Sequence, residues 1–114
     1  MLVFHHEFSH AVNKGPLIQP DGGIVDAMWK REVITPVEPP GTHLALARQA
    51  LAEAVRLVGP TTYARVDGVD RDDGSPAVLE LEPVEPSLFL TTSAGAADRF
   101  AAAVSASLGH PPPS

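Results

Sequence analysis

The most constraining feature of this chain is a pair of alternating segments on either side of a charged turn. Tyr63-Ala64-Arg65-Val66-Asp67-Gly68-Val69 alternates strictly, Asp70-Arg71-Asp72-Asp73-Gly74-Ser75 is rich in turn formers, and Ala77–Pro83 alternates again. Period-two alternation around a turn signal predicts a β-hairpin. With Asp73-Gly74 as the central pair of a type I′ turn, cross-strand partners have numbers summing to 147, so Asp67 faces Glu80 and Arg65 faces Glu82. All four then project from one face, with Ala64, Val66, Leu79 and Leu81 on the other.

Like charges directly opposite one another destabilise a sheet. Asp67 opposite Glu80 therefore needs a positive partner, and the mutual repulsion of Asp67, Glu80 and Glu82 is expected to raise at least one carboxylate pKa. Carboxylates on adjacent strands with no soft ligand among them suit a hard cation such as Mg²⁺ or Mn²⁺, and Arg65 beside them suits a phosphate oxygen. The plain alternative is the solvated outer face of an amphipathic hairpin. Pro76 weakens the register argument because it removes a ladder hydrogen bond near the turn.

The rest of the chain reads as an α+β protein, an antiparallel sheet covered by helices. Residues 2–13 alternate loosely and end at Gly15-Pro16, which predicts one strand. Residues 17–40 are mostly loop, with a short strand possible at Met28–Ile34. Thr42 is the expected N-cap of a helix over 43–58, with Leu44, Ala47, Leu51, Ala54, Val55 and Val58 on its apolar face. A second helix fits Ala94–Leu108, with Phe100, Val104 and Leu108 on one stripe. Domain expectations are one unit over residues 1–108 and a disordered proline-rich tail over 109–114.

Composition narrows the function classes. At 114 residues the chain fits one domain, and 44% hydrophobic residues suffice for a core. A net charge of -6 with no basic cluster argues against nucleic acid, and the absence of cysteine excludes disulfides and thiol chemistry. No apolar stretch is long enough for a membrane span and no signal-like N-terminus is seen, so the expected location is cytoplasmic, with no membrane partner. Asp70-Arg71-Asp72-Asp73-Gly74 resembles the opening of a calcium loop, but Leu81 stands where its twelfth-position glutamate belongs. Trp29 is expected to serve packing or an interface.

His6-Glu7-Phe8-Ser9-His10 fits His-Glu-x-x-His, which on a helix places two zinc ligands one turn apart beside a general base. No third ligand is identifiable, and Gly15-Pro16 leaves no room for a capped helix. A zinc-dependent hydrolase using His6, Glu7 and His10 is the alternative this motif raises.

The run Arg65-Val66-Asp67, followed by Val78-Leu79-Glu80-Leu81-Glu82-Pro83-Val84-Glu85-Pro86-Ser87-Leu88-Phe89-Leu90, resembles the closing strands of ATP-grasp ligases, in the actinobacterial branch that includes cycloserine biosynthesis. Glu7–Val12 with Lys14-Gly15-Pro16 resembles that branch's preceding strand, so the resemblance spans residues 4–104. It implies the C-terminal subdomain of an ATP-grasp fold, and a reaction in which ATP phosphorylates a small carboxylate before an amine attacks the acyl phosphate. By motif position Asp67, Glu80 and Glu82 would ligate magnesium, and Arg65 would contact the phosphates or the oxyanion. Lys14 and His10 would face the nucleotide phosphates or substrate, and Ser87 would line the acceptor site.

The departures carry expectations of their own. Such ligases run to about twice this length or more, with an N-terminal domain and lid, and Leu17-Ile18-Gln19 stands where many of them have a basic residue. The chain is thus expected to be a fragment, inactive alone and partnered by the remaining ATP-grasp part. The rival is a non-catalytic remnant or the partner-binding half of a split enzyme. Apolar surface is expected where the lid would pack.

Overall fold

The computed structural model describes residues 1–15 and 33–109. They form five strands and two α-helices: β1 Leu2–Phe4, β2 Glu7–Lys14, β3 Ile34–Val37, α1 Gly41–Val58, β4 Tyr63–Asp70, β5 Pro76–Glu82 and α2 Ala96–Ser107, with a 3₁₀ turn at Leu90–Thr92 before α2. The sheet has the order β3-β2-β1-β4-β5, and every neighbouring pair is antiparallel. This is the expected α+β architecture.

The helices cover opposite faces because β1 alternates. Val3 packs with Ala64 and with Leu51 and Val55 of α1. Leu2 and Phe4 point the other way, onto Ala103 and Phe100 of α2 and the segment Leu88–Leu90. The α2 side is aromatic, with Phe100 stacked at 5.3 Å from Phe4 and at 5.5 Å from Tyr63, ring centre to ring centre, in the tilted and edge-on geometries aromatic pairs favour.

Several expectations need correction. The single N-terminal strand is two strands, turning at His5-His6 with both residues at positive φ (49° and 68°). That backbone is the one a two-residue hairpin turn requires, but neither residue is the glycine or asparagine that announces it. The β-ladder pays for the turn: Phe4 pairs with Glu7 and Val3 with Phe8, while the His5 amide donates to the Thr62 carbonyl at 2.8 Å.

Thr42 is not an N-cap. Helix α1 begins at Gly41 after Pro40, and no side chain caps it. Its buried residues are Ala47 and Leu51, whereas Val58, expected inside, is 73% exposed in the last turn. Helix α2 starts after Gly95, which adopts the left-handed conformation, so Ala94 is outside it. Its inward stripe runs through Ala96, Phe100 and Ala103, and Leu108 is exposed. Strand β3 begins at Ile34, where the proposed strand ended, and carries Pro36 on the sheet edge where a missing N–H costs least. The expected strand residues before 33, Trp29 and the tail from 110 on lie outside the described residues.

Candidate functional site

Strands β4 and β5 bring the charged residues together. Arg65 pairs with Glu82, Val66 with Leu81 and Asp67 with Glu80, the pairing expected from sequence, but reached by a different route. The connection is a longer loop in which the Gly74 amide donates to the Arg71 carbonyl and the Arg71 amide to the Ser75 carbonyl, both at 2.8 Å. Of the expected central pair only Gly74 has positive φ, at 82°. From this loop the ladder runs Asp70 to Pro76, Val69 to Ala77 and Gly68 to Val78, a register one residue out of step with the charged pairs.

A bulge between Asp67 and Gly68 on one strand, absorbing Leu79 on the other, restores the step. Without it Asp67 would face Leu79, and Glu80 and Glu82 would turn onto the α1 face beside Ala64 and Val66, which are 1% and 0% exposed. Leu79, expected on the apolar face, is instead 70% exposed at the bulge.

Arg65 is the hub of the cluster. Its side chain is 9% exposed, and its Nε and Nη2 donate to the two Asp67 carboxylate oxygens at 2.9 and 3.1 Å. Nη2 also lies 2.8 Å from a Glu82 oxygen and 3.6 Å from one of Glu80. Lys14 on β2 reaches across the end of β1 to Asp67 at 3.5 Å, and its ammonium lies 5.6 Å from the centre of the Phe89 ring, within cation–π range.

The expectation that repulsion raises a carboxylate pKa fails at Asp67. Burial pushes its pKa up, but the hydrogen bonds and charge of Arg65, with a smaller contribution from Lys14, more than offset this and hold it below the ordinary value. The positive partner that Asp67 and Glu80 require is therefore Arg65 itself.

An open cleft of about 930 Å³ runs beside this cluster, and Lys14, Arg65, Asp67 and Glu80 all line it. On its far wall stands His43 in the first turn of α1, with Nε2 2.7 Å from Asp70. Sequence reasoning did not single out His43 or Asp70 as a pair, since they are distant in sequence and fit no motif. The signal was Gly68, a strand glycine marking a close approach.

His10 is built into the core rather than the cleft. It is 5% exposed, its Nε2 donates to the Leu88 carbonyl at 2.9 Å and its Nδ1 accepts from the Ser9 hydroxyl at 2.8 Å. Burial is the main cause that pushes its pKa down, against the opposing pull of the Leu88 and Phe89 backbone. It borders a smaller cavity of about 310 Å³ together with Ser9, Thr92 and Ser93. Ser87 is exposed on the connection after β5 and lines neither cavity.

The zinc motif does not assemble. Its residues form a hairpin instead of a helix: His6 is exposed at the turn and His10 is buried one strand length away, engaged with Leu88 and Ser9. Among the described residues no three or more His, Cys, Asp or Glu side chains are grouped so as to hold a metal ion. None of the described helices is long and apolar enough to cross a membrane.

No protein-family model matches the chain. It is 41% identical to the cycloserine biosynthesis protein DcsG of Streptomyces lavendulae over 108 residues, which is 91% of this chain and 35% of that protein. The crystal structure of D-cycloserine synthetase DcsG superposes with a TM-score of 0.81 at 38% identity, over 94% of this chain and 36% of the other. The ATP-complexed D-alanine–D-alanine ligase of Bacillus anthracis matches with a TM-score of 0.53 at 16% identity, covering 90% of this chain and 33% of the ligase, a likeness of fold alone. The chain thus spans about a third of the length of the proteins it matches. Its five-stranded sheet and two helices match part of the ATP-grasp ligase fold, and the chain is homologous to about a third of DcsG.

Proposed function

We infer that this chain supplies the phosphate- and metal-facing strand pair of an ATP-dependent carboxylate–amine ligase acting through an acyl phosphate. The observation that carries this is the four-residue cluster of Arg65 with Asp67, Glu80 and Glu82 beside the open cleft, with Lys14 at its edge.

The donor set fits magnesium or manganese in kind: carboxylate oxygens on adjacent strands and no cysteine. Mg²⁺ takes one or two protein carboxylates and completes its shell with phosphate oxygens and water, so a preformed cage of three is not required. Glu80 and Glu82, the more exposed members at 56% and 33%, are the first ligands in this reading, with Asp67 the third. When bound, the ion would neutralise charge on the transferring phosphoryl group.

The residues of the chain itself have distinct tasks. Arg65 is held in place by Asp67 and can turn its remaining N–H groups toward a phosphate or a developing oxyanion. Lys14 brings a second positive charge to the cleft for the nucleotide phosphates. His10, buried behind the strand, orients β2 and the Leu88–Phe89 segment rather than touching substrate. The acceptor role of Ser87 rests on motif position alone. A cytoplasmic location accords with a reaction that draws on ATP.

Thermal unfolding of the chain in millimolar Mg²⁺, with and without ATP, tests the reading. The melting temperature is expected to rise with Mg²⁺, to rise further with ATP, and to lose both gains in Glu80→Gln. No response of the wild-type chain to Mg²⁺ and ATP together would overturn it.

A further inference from the structure

The bulge that places Glu80 opposite Asp67 has to sit at one position in the ladder. If it moved inward past Asp67, that residue would face Leu79, while Arg65 would still face Glu82. Hydrophobic patterning does not decide between these arrangements, because Leu79 is exposed where it stands. Something else must choose.

The choice coincides with Gly68, the residue at which the register shifts. A side chain there would begin 3.0 Å from His43 Nδ1 and 3.6 Å from its Cε1, so the imidazole occupies the space beside the strand that a Cβ would crowd. The ring is mostly buried, 14% exposed, and Asp70 holds its other nitrogen at 2.7 Å. His43 therefore touches the strand on the turn side of the bulge and is tied to the strand's last residue.

We propose that His43, seated on Gly68 and oriented by Asp70, is a positioning residue that fixes the bulge at Leu79 and so keeps Glu80 facing Asp67. Its bearing on ligation rests on the reading above. Its bearing on strand register does not, since register is measured without metal or nucleotide.

Cross-strand NOEs in the isotope-labelled chain provide the test. The wild type is expected to show contacts of Asp67 with Glu80 and of Gly68 with Val78. His43→Ala and Asp70→Ala should each introduce Asp67–Leu79 contacts at the expense of Asp67–Glu80. Deleting Leu79 removes the bulge and leaves Asp67 facing Glu80 without any latch, so His43→Ala in that background should leave the pairing unchanged.

Unaltered Asp67–Glu80 contacts in Asp70→Ala, which removes a side chain that is 69% exposed, would overturn the proposal even if His43→Ala failed to fold. So would a change of pairing on His43→Ala in the Leu79 deletion, because the histidine would then support the strands generally. Either failure leaves the magnesium response of the wild type untouched, and a wild type lacking that response leaves the NOE pattern untouched.

Discussion

Arg65 and Asp67, two residues apart on one side of β4, form a two-point pair at 2.9 and 3.1 Å. The guanidinium is nearly enclosed, and the same nitrogen that closes the pair also reaches Glu82. Removing one member of such a pair strands the other charge in a poorly solvated place. Arg65→Met is therefore expected to destabilise the chain by about 3 kcal/mol, read as a lower urea midpoint with an unchanged m-value. Mg²⁺ should recover more stability in Arg65→Met than in the wild type, because three carboxylates then compete for it without the guanidinium.

Acid sensitivity follows from the same pair. The Asp67 pKa is depressed in the folded chain, so the unfolded state binds its proton first. The stability it contributes is fully present above the unfolded value near 3.8 and is lost as pH falls through the folded value. Asp67→Asn should flatten that part of the acid limb, as seen by denaturant titration at successive pH values below about 4.

Much of this site was legible, for reasons that can be traced to particular residues. The alternation around Arg65 and Asp67 marked the strand face, and burial of Ala64 and Val66 on the opposite face kept Glu80 and Glu82 off the α1 side. The turn was misread because Asp73-Gly74 is a strong two-residue signal, while the loop used extends from Arg71 to Ser75. The wrong turn and the unseen bulge at Leu79 cancel, which is why the pairing was recovered. His10 could not be placed from sequence, since the carbonyl that holds it, that of Leu88, lies 78 residues further along the chain.

Between mildly acidic and neutral pH, His10 governs a second dependence. Its pKa is lowered in the folded chain, burial being the largest cause, so as pH falls through the ordinary value of 6.5 the unfolded state gains a proton that the folded state refuses. Stability should rise with pH across the interval between the folded pKa and 6.5. His10→Gln, which keeps a donor for Leu88, should lose that slope while retaining the fold by circular dichroism.

Lys14 separates nucleotide binding from structure. Its contact with Asp67 is 3.5 Å and its side chain is 30% exposed, so the pair is worth less than about 1 kcal/mol. Lys14→Ala should barely move the melting temperature of the chain alone and should leave the Mg²⁺ response intact. The additional gain from ATP should fall by at least half. Loss of the Mg²⁺ response together with the ATP response would show that Lys14 is needed to hold the carboxylates rather than the phosphates.

The hairpin turn at His5-His6 offers the sharpest separation between structure and function. Both residues occupy the left-handed region, at a cost of about 1–2 kcal/mol each relative to residues suited to it. Nothing in the cleft depends on either ring, which face one another at 5.9 Å on the exposed turn. Replacing the pair by Asn-Gly keeps the amide that donates to Thr62 and supplies the residues such a turn favours. The variant should gain about 1 kcal/mol, or roughly 5 °C in melting temperature for a chain of this size, and should keep the wild-type response to Mg²⁺ and ATP. Its response to Zn²⁺ should match the wild type, because His6 and His10 lie on a hairpin where they share no ligand position. A strong zinc stabilisation of the wild type that disappears with the turn substitution would revive the hydrolase alternative.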